Sequence, residues 1–263
     1  MNVGVIIAAA GRGERFGSSS KLDQDIGGRA LLLRTVELFT RRDEVRSIVV
    51  AGPADDFDEF KEKYGPALSF HGATVVPGSR ESRCESVRLA MDAIPSECTH
   101  IAVHDAGRPA AGTELLNRLF EAARTLPAVV PAVPITSTIK RIGAVSVTLA
   151  GDELDATADA ILGDAGRPTI EASPVVETVD RTDLVEVQTP QIFAAALLRR
   201  AYAQDDLAGV TDDASLVERL GETVHTVPGD VTNIKVTTSG DLRLVRAILG
   251  VKPPAERPAH KRF

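Results

Sequence analysis

"VGVIIAAAGRGERFGSSSK", residues 3–21, changes character halfway. Its first half is apolar and β-branched, which reads as a strand covered on both faces. Its second half supplies three glycines, two arginines, a run of serines and a lysine. Such residues build no core, but a glycine loop behind a strand can turn consecutive backbone N–H groups toward an anion. Arg12, Arg15 and Lys21 add positive charge to it. The dinucleotide fingerprint G-x-G-x-x-G is not met, because Phe16 stands where its third glycine belongs and Gly17 comes one residue late. The P-loop pattern is not met either, since no Gly-Lys-Ser/Thr follows. Taken alone, the loop fits a turn with solvated charges as well as an anion cradle.

Outward from this stretch, apolar runs alternate with helical patterns. Strands are expected over 3–9, 45–52, 72–77, 100–104 and 128–133, and helices over 30–40, 57–64, 83–94 and 113–125. This rhythm predicts an α/β fold with a doubly wound, mostly parallel sheet, whose ligands lie beyond the carboxyl ends of the strands. The rhythm breaks after Lys140. Residues 143–177 are rich in Gly, Asp, Ala and Pro and offer only short β-like pieces, which reads as a hairpin arm. Order resumes at 185–189, with helices near 193–203, 213–220 and 239–249. The organisation expected is one domain over 1–250, with 141–182 protruding as the arm and 251–263 as a flexible tail.

Composition narrows the class. The 263 residues carry 30 basic and 37 acidic side chains, a net charge of −7, which argues against nucleic acid or an anionic membrane as partner. An anionic substrate then needs a local basic pocket. Two cysteines form neither a disulfide framework nor a zinc motif, and the N-terminus lacks the basic segment of a signal peptide. A soluble cytoplasmic protein is expected.

The second polar constellation, "HDAGRP" (104–109), follows a predicted strand, so Asp105 and Arg108 fall at the same sheet edge as the first loop. An Asp there can hold a ribose hydroxyl or a metal ion, and an Arg a phosphate. A helix cap and a surface arginine are the plainer alternative, and His104 reads as structural. Further clusters follow: "GSRESRCESV" (78–87), "STIKR" (137–141), "VDRTDL" with "QTPQIF" (179–193), "VTDDAS" (210–215) and "NIKVT" (233–237). Singly each has a dull reading as a cap or turn.

In this order the motifs resemble those of the 2-C-methyl-D-erythritol 4-phosphate cytidylyltransferases, a family of nucleotidyltransferases with a Rossmann-like sheet. The resemblance spans nearly the whole chain. The glycine loop points only to the wider sugar-nucleotide group, whereas "TVDR", "TPQ", "TDDAS" and "NIKVT" are shared specifically with this family and with ribitol 5-phosphate cytidylyltransferases. The resemblance implies that Ala8, Ala9, Gly11 and Gly13 embrace CTP, with Ser86 near the cytosine and Asp105 near the ribose and metal. It implies that Arg15 and Lys21 neutralise the triphosphate. Thr138, Arg181, Thr189 and Lys235, with Arg108 nearby, would hold the sugar-alcohol phosphate, Arg181 reaching across a homodimer from the arm. Mg2+ or another divalent cation, held mainly by phosphates, is the implied cofactor. The chain departs from the family pattern in "KLDQ" around Lys21, in Ser137 where an Asp usually precedes "TIK", and in the single glycine of Gly78-Ser79. Oxidoreductase chemistry with NAD lacks both its fingerprint and its acidic ribose anchor. A silent nucleotide-binding relative would have little reason to keep Arg15, Lys21, Asp105, Arg181 and Lys235 together.

Overall fold

The computed structural model describes residues 1–11, 20–144, 147–149 and 170–252. In chain order its strands are β1 (Val3–Ala8), β2 (Val45–Gly52), β3 (Ala73–Pro77), β4 (His100–Asp105), β5 (Ala128–Pro134), β6 (Ile139–Ile142), β7 (Val147–Leu149), β8 (Ile170–Ala172), β9 (Val175–Val179), β10 (Val185–Val187), β11 (Gln191–Ala194) and β12 (His225–Pro228). Its helices are α1 (Leu31–Glu37), α2 (Phe57–Phe70), α3 (Arg83–Met91), α4 (Thr113–Ala122), α5 (Ala195–Tyr202), α6 (Asp213–Arg219) and α7 (Ser239–Ile248). The chain divides into two units: Met1–Val133 with Val187–Phe263, and Pro134–Glu186.

In the first unit the strands lie in the order β5-β11-β4-β1-β2-β3, with β12 also paired to β5. β1 runs parallel to both β2 and β4, and β2 parallel to β3. Alternation along β1 divides the interior. Val3, Val5 and Ile7 face one core with α1, α2, α4 and α7, while Ile6 faces the other with α3, α5 and α6. A strand covered on both sides has no reason to alternate polar with apolar residues, which is why its sequence is a continuous apolar run.

β11 is the antiparallel member, set between β4 and β5. Periodicity extends a helix back to Phe193, but the helix begins at Ala195. Ile192 and Phe193 point into opposite cores, the two-residue period of a strand. Residues 191–198, "QIFAAALL", are apolar enough to satisfy either period. α2 continues to Phe70, past the expected end at Tyr64, because Leu68 is fully buried on the same face as Phe60 and Tyr64. β12 is a four-residue edge strand with a half-exposed pattern, too short to be heard in the sequence.

α7 returns to the start of the chain. The Arg246 guanidinium donates to the Asp25 carbonyl from Nε at 2.9 Å and Nη2 at 2.7 Å. Val251 packs so close to Gly27 that a Cβ there would stand 2.7 Å from its Cγ1, and Gly27 has a φ of +64°.

Among its described residues the second unit holds two antiparallel pairs, β6 with β9 and β7 with β8. Arg141 bonds Glu177 across the first pair at 2.6 Å, and Lys140 bonds Thr178. Ile142, Val175 and Val176 are each about 60% exposed. Much of the arm, residues 145–146 and 150–169, lies outside the described residues, as does the tail from 253.

Candidate functional site

A cleft of about 640 Å³ opens at the carboxyl ends of β1, β2 and β4 in the first unit. Ala8–Gly11 and Lys21 form one wall, residues 53–56 after β2 a second, residues 79–86 a third, and Asp105–Gly107 with Lys235 the floor. Of the residues singled out from sequence, Ala8, Ala9, Gly11, Lys21, Ser86, Asp105 and Lys235 line this one space. Gly13 and Arg15 lie outside the described residues.

Close backbone approach shapes the walls. A Cβ on Gly78 would stand 2.7 Å from the Gly52 carbonyl oxygen, 2.8 Å from Ala10 Cβ and 2.9 Å from Ser86 Oγ. Only glycine lets the 78–82 loop lie on the ends of β1 and β2. Ser86 then locks that loop: its hydroxyl accepts from the Ser79 amide at 2.9 Å and donates to the Ser82 carbonyl at 3.0 Å. Ser82 in turn caps α3 by accepting the Glu85 amide at 3.0 Å.

Asp105 is the electrostatic centre. Its Oδ1 accepts from Arg83 Nε at 3.0 Å, and Lys235 Nζ stands 2.7 Å from its Oδ2. Burial pushes its carboxyl up, but Arg83 and Lys235 outweigh this and hold it well below the usual carboxylate range. Arg83 also donates from Nη2 to Asp213 at 2.9 Å, joining groups 130 residues apart. Asp213, wholly buried, also accepts from the Tyr202 hydroxyl. Burial works against the Arg83 charge, yet its two carboxylates more than restore it.

Lys235 reaches Asp105 because "NIKVT" is laid along the 106–108 turn. The Val236 amide donates to the Gly107 carbonyl at 2.8 Å, and Arg108 Nη1 donates to the Asn233 carbonyl at 2.6 Å. Asn233 Nδ2 donates to the Thr189 carbonyl at 2.9 Å. Arg108 and Thr189 therefore do not line the cleft; both are buried behind it. The Thr189 hydroxyl accepts the Asp105 amide at 3.0 Å and lies 3.1 Å from His104 Nδ1. Fully buried, His104 has its pKa pulled down to about 4 by desolvation, so it is neutral at pH 7. Its Nε2 lies 3.0 Å from the Arg108 carbonyl, which makes Nε2 the protonated nitrogen and Nδ1 the acceptor of the Thr189 proton. It is a structural strut. "DDAS" is a helix start: Asp212 caps α6 by accepting the Ser215 amide at 3.1 Å.

Thr138 and Arg181 belong to the arm unit, where Arg181 donates to the Thr136 carbonyl. The residues that sequence reasoning passed over are Asp213, as partner of Arg83, and Tyr202, as partner of Asp213. Their signal was present, since "RCES" and "TDDAS" each put charge at a helix start, but nothing local pairs them.

The cleft is suited to a polyanion: Lys21, Arg83 and Lys235 converge where strand ends and loop amides meet. Among the described residues no three His, Cys, Asp or Glu side chains gather as a metal cage. Both Asp105 oxygens already face cations. The donor set therefore fits a divalent ion only as one held mainly by a ligand's phosphate oxygens, with Asp105 as its carboxylate contact.

The family model described as IspD, 2-C-methyl-D-erythritol 4-phosphate cytidylyltransferase, matches residues 3–156 and 152–251. A protein of that name from Frankia casuarinae is 40% identical over 258 residues, covering 97% of this chain and 84% of the relative. Another of the same name, from Saccharopolyspora erythraea, is 37% identical over 258 residues, 95% of this chain and all of the relative. Among solved structures, the enzyme of that name from Thermus thermophilus superposes with a TM-score of 0.66 at 30% identity, covering 95% of this chain and 100% of that one. The Francisella tularensis enzyme gives 0.71 at 25% identity, covering 94% and 100%. A basic cleft at the strand ends and a match along nearly the whole sequence agree, and the chain belongs to the 2-C-methyl-D-erythritol 4-phosphate cytidylyltransferase family.

Proposed function

We propose that this nucleotidyltransferase moves CMP from CTP to 2-C-methyl-D-erythritol 4-phosphate and releases pyrophosphate, a step of isoprenoid precursor synthesis. The observation that carries the reading is the convergence of Lys21, Asp105 and Lys235 on one cleft beside the Ala8–Gly11 backbone, in a chain of this family. An oxygen of the acceptor phosphate attacks the α-phosphorus, a P–O bond forms, and the bond to the β-phosphate oxygen breaks. The acceptor is already an anion at pH 7, so no general base is needed. What the protein must supply is alignment of two anions and neutralisation of the developing charge.

In this reading Ala8, Ala9, Gly11 and Gly13 hold the nucleotide by their backbone, and Arg15 and Lys21 face its triphosphate. Ser86 keeps the base-facing loop in shape. Asp105 accepts a ribose hydroxyl while Lys235, with Thr138 and Arg181 of the arm, takes the acceptor phosphate. Thr189 and Arg108 serve this end by fixing Asp105 and the Lys235 loop. Mg2+, carried by the phosphates, supplies further charge neutralisation when bound. The exposed Ile142, Val175 and Val176 of the arm support a homodimer, in which Arg181 serves the neighbouring site. The cytoplasm is its proposed location. No helix among the described residues is long and apolar enough to cross a membrane.

Ser137, in place of the usual Asp before "TIK", favours one second reading, ribitol 5-phosphate as acceptor. Pyrophosphate release measured with each of the four nucleoside triphosphates and each of the two alcohol phosphates decides. Release with CTP and methylerythritol phosphate alone is expected. Release with another nucleotide, or none with CTP, overturns the reading, and preference for ribitol phosphate transfers it to the second acceptor.

A further inference from the structure

Around Lys21 the chain reads "KLDQ", and the structure gives the acidic residue of that stretch a task. Lys21–Asp23 form a single turn of 3-10 helix whose start is capped by Ser20 Oγ, which accepts the Leu22 amide at 3.3 Å. Such a turn has few internal bonds, so its placement depends on what it is tied to. Leu22 is buried beneath it, and the Gln24 carbonyl accepts the Leu31 amide at 2.9 Å. A further tie is lateral. Asp23 Oδ1 accepts from the Tyr64 hydroxyl, and Asp23 Oδ2 lies 2.6 Å from Lys63 Nζ. Tyr64 and Lys63 are neighbours on α2.

We infer that Asp23 is a positioning residue for Lys21: by its bond to Tyr64 it fastens the lysine's turn to the helix that follows directly on another cleft-lining segment. α2 starts at Phe57, directly after the cleft-lining residues 53–56, so the same helix adjoins that segment and, through Tyr64, the turn of Lys21. The Tyr64 bond is the effective half of the tie. Tyr64 is 6% exposed, whereas the Lys63 side chain is 51% exposed and its ion pair is open to solvent screening. The brace bears on where the Lys21 charge stands. Its ammonium faces Gly107, where a Cβ would stand only 3.1 Å from Nζ, and a shift of the base of its flexible four-carbon stem carries the charge away from that place. A cation displaced by about 1 Å in a transfer site costs up to about 10²-fold in rate.

The inference rests on the proposed function, and the test separates the two. Asp23→Ala is expected to lower kcat about 10-fold with the KM for CTP changed less than about 3-fold, because ground-state binding is shared by many groups and alignment is not. Asp23→Asn, which keeps an acceptor for the Tyr64 hydroxyl, should recover most of the rate. Tyr64→Phe should match Asp23→Ala, and the double variant should lose no more than either. Amide hydrogen exchange at Leu22–Gln24 should quicken in Asp23→Ala and Tyr64→Phe but not in Asp23→Asn. A wild-type protein that releases no pyrophosphate defeats the function and leaves the tie to be judged by exchange. Unchanged exchange in Asp23→Ala overturns the inference, as does quickened exchange with an unchanged kcat in an active enzyme.

Discussion

Removing the Asp213 carboxylate should do more harm than removing any other surface-remote polar group of the cleft wall. Its side chain has no exposure, and it receives one charged bond from Arg83 at 2.9 Å and one from the Tyr202 hydroxyl. In Asp213→Ala both donors lose their acceptor and the Arg83 charge keeps only Asp105. Breaking one half of a buried ion pair costs about 3–5 kcal/mol, and the 30% exposure of Arg83 argues for the lower end, about 3 kcal/mol. That is a large share of the roughly 5–15 kcal/mol that holds a typical domain together. Asp212 and not Asp213 caps α6, so the helix start accounts for no more than the roughly 0.3–1 kcal/mol that an acidic first-turn residue gains from the helix dipole. Urea unfolding of wild type and variant, compared at equal slope, measures it as a drop in midpoint. Tyr202→Phe should cost only about 1 kcal/mol, the worth of one hydrogen bond. Replacing both charges, as in Arg83→Met with Asp213→Leu, should destabilise less than Asp213→Ala alone, since no unpaired ion is left inside. An Asp213→Ala loss below about 1 kcal/mol would refute the buried-charge argument and mean that Arg83 is satisfied by Asp105 and water.

Gly78→Ala should cost about 1–3 kcal/mol and weaken CTP binding by calorimetry, since the added methyl meets two backbone-fixed neighbours below 3.0 Å. Lys21→Ala should lower turnover about 10²-fold with an unchanged circular dichroism spectrum, as loss of one fixed charge donor does. Lys235→Ala should impair use of the acceptor far more than CTP binding, read by titrating each separately. His104 sets an acid limb: the unfolded chain protonates it near 6.5 and the folded one only near 4, so stability falls as pH drops through that window, by about 3 kcal/mol in all. Urea titrations at several pH values should show this slope, and His104→Gln should flatten it.

How far the sequence could be read depended on what each residue had to decide alone. β1, β2, β4 and β5 were legible because burial on both faces leaves an apolar run with no competing explanation. β11 was not, since Ile192 and Phe193 serve two cores in a stretch where helix and strand patterns coincide. Asp105 was legible as a residue placed behind a strand, and Lys235 through the resemblance of "NIKVT" to the family's motif. The bond between them was not, because it depends on the Val236 amide and Arg108 drawing "NIKVT" along the floor. Arg83 with Asp213, and Asp23 with Tyr64, were silent for the same reason: each partner is chosen by how helices pack on the sheet, and no local pattern records that choice. The exchange of Arg108 and Thr189 from the lining to the layer behind it also follows from packing.

The brace between Arg246 and the Asp25 carbonyl has a consequence for the making of the protein. Lys21 leaves the ribosome early, yet Lys235 and the arginine that steadies the neighbouring turn arrive more than two hundred residues later. At roughly 5–20 residues per second the anion-seeking loop therefore waits about 10 to 40 s for the rest of its cleft. A nascent chain halted before Lys235 already holds Asp105 but lacks the lysine that pairs with it, so the floor of its cleft is half made. The cleft is therefore completed only in the closing moments of translation, when α7 reaches the first-made segment and Arg246 clasps it.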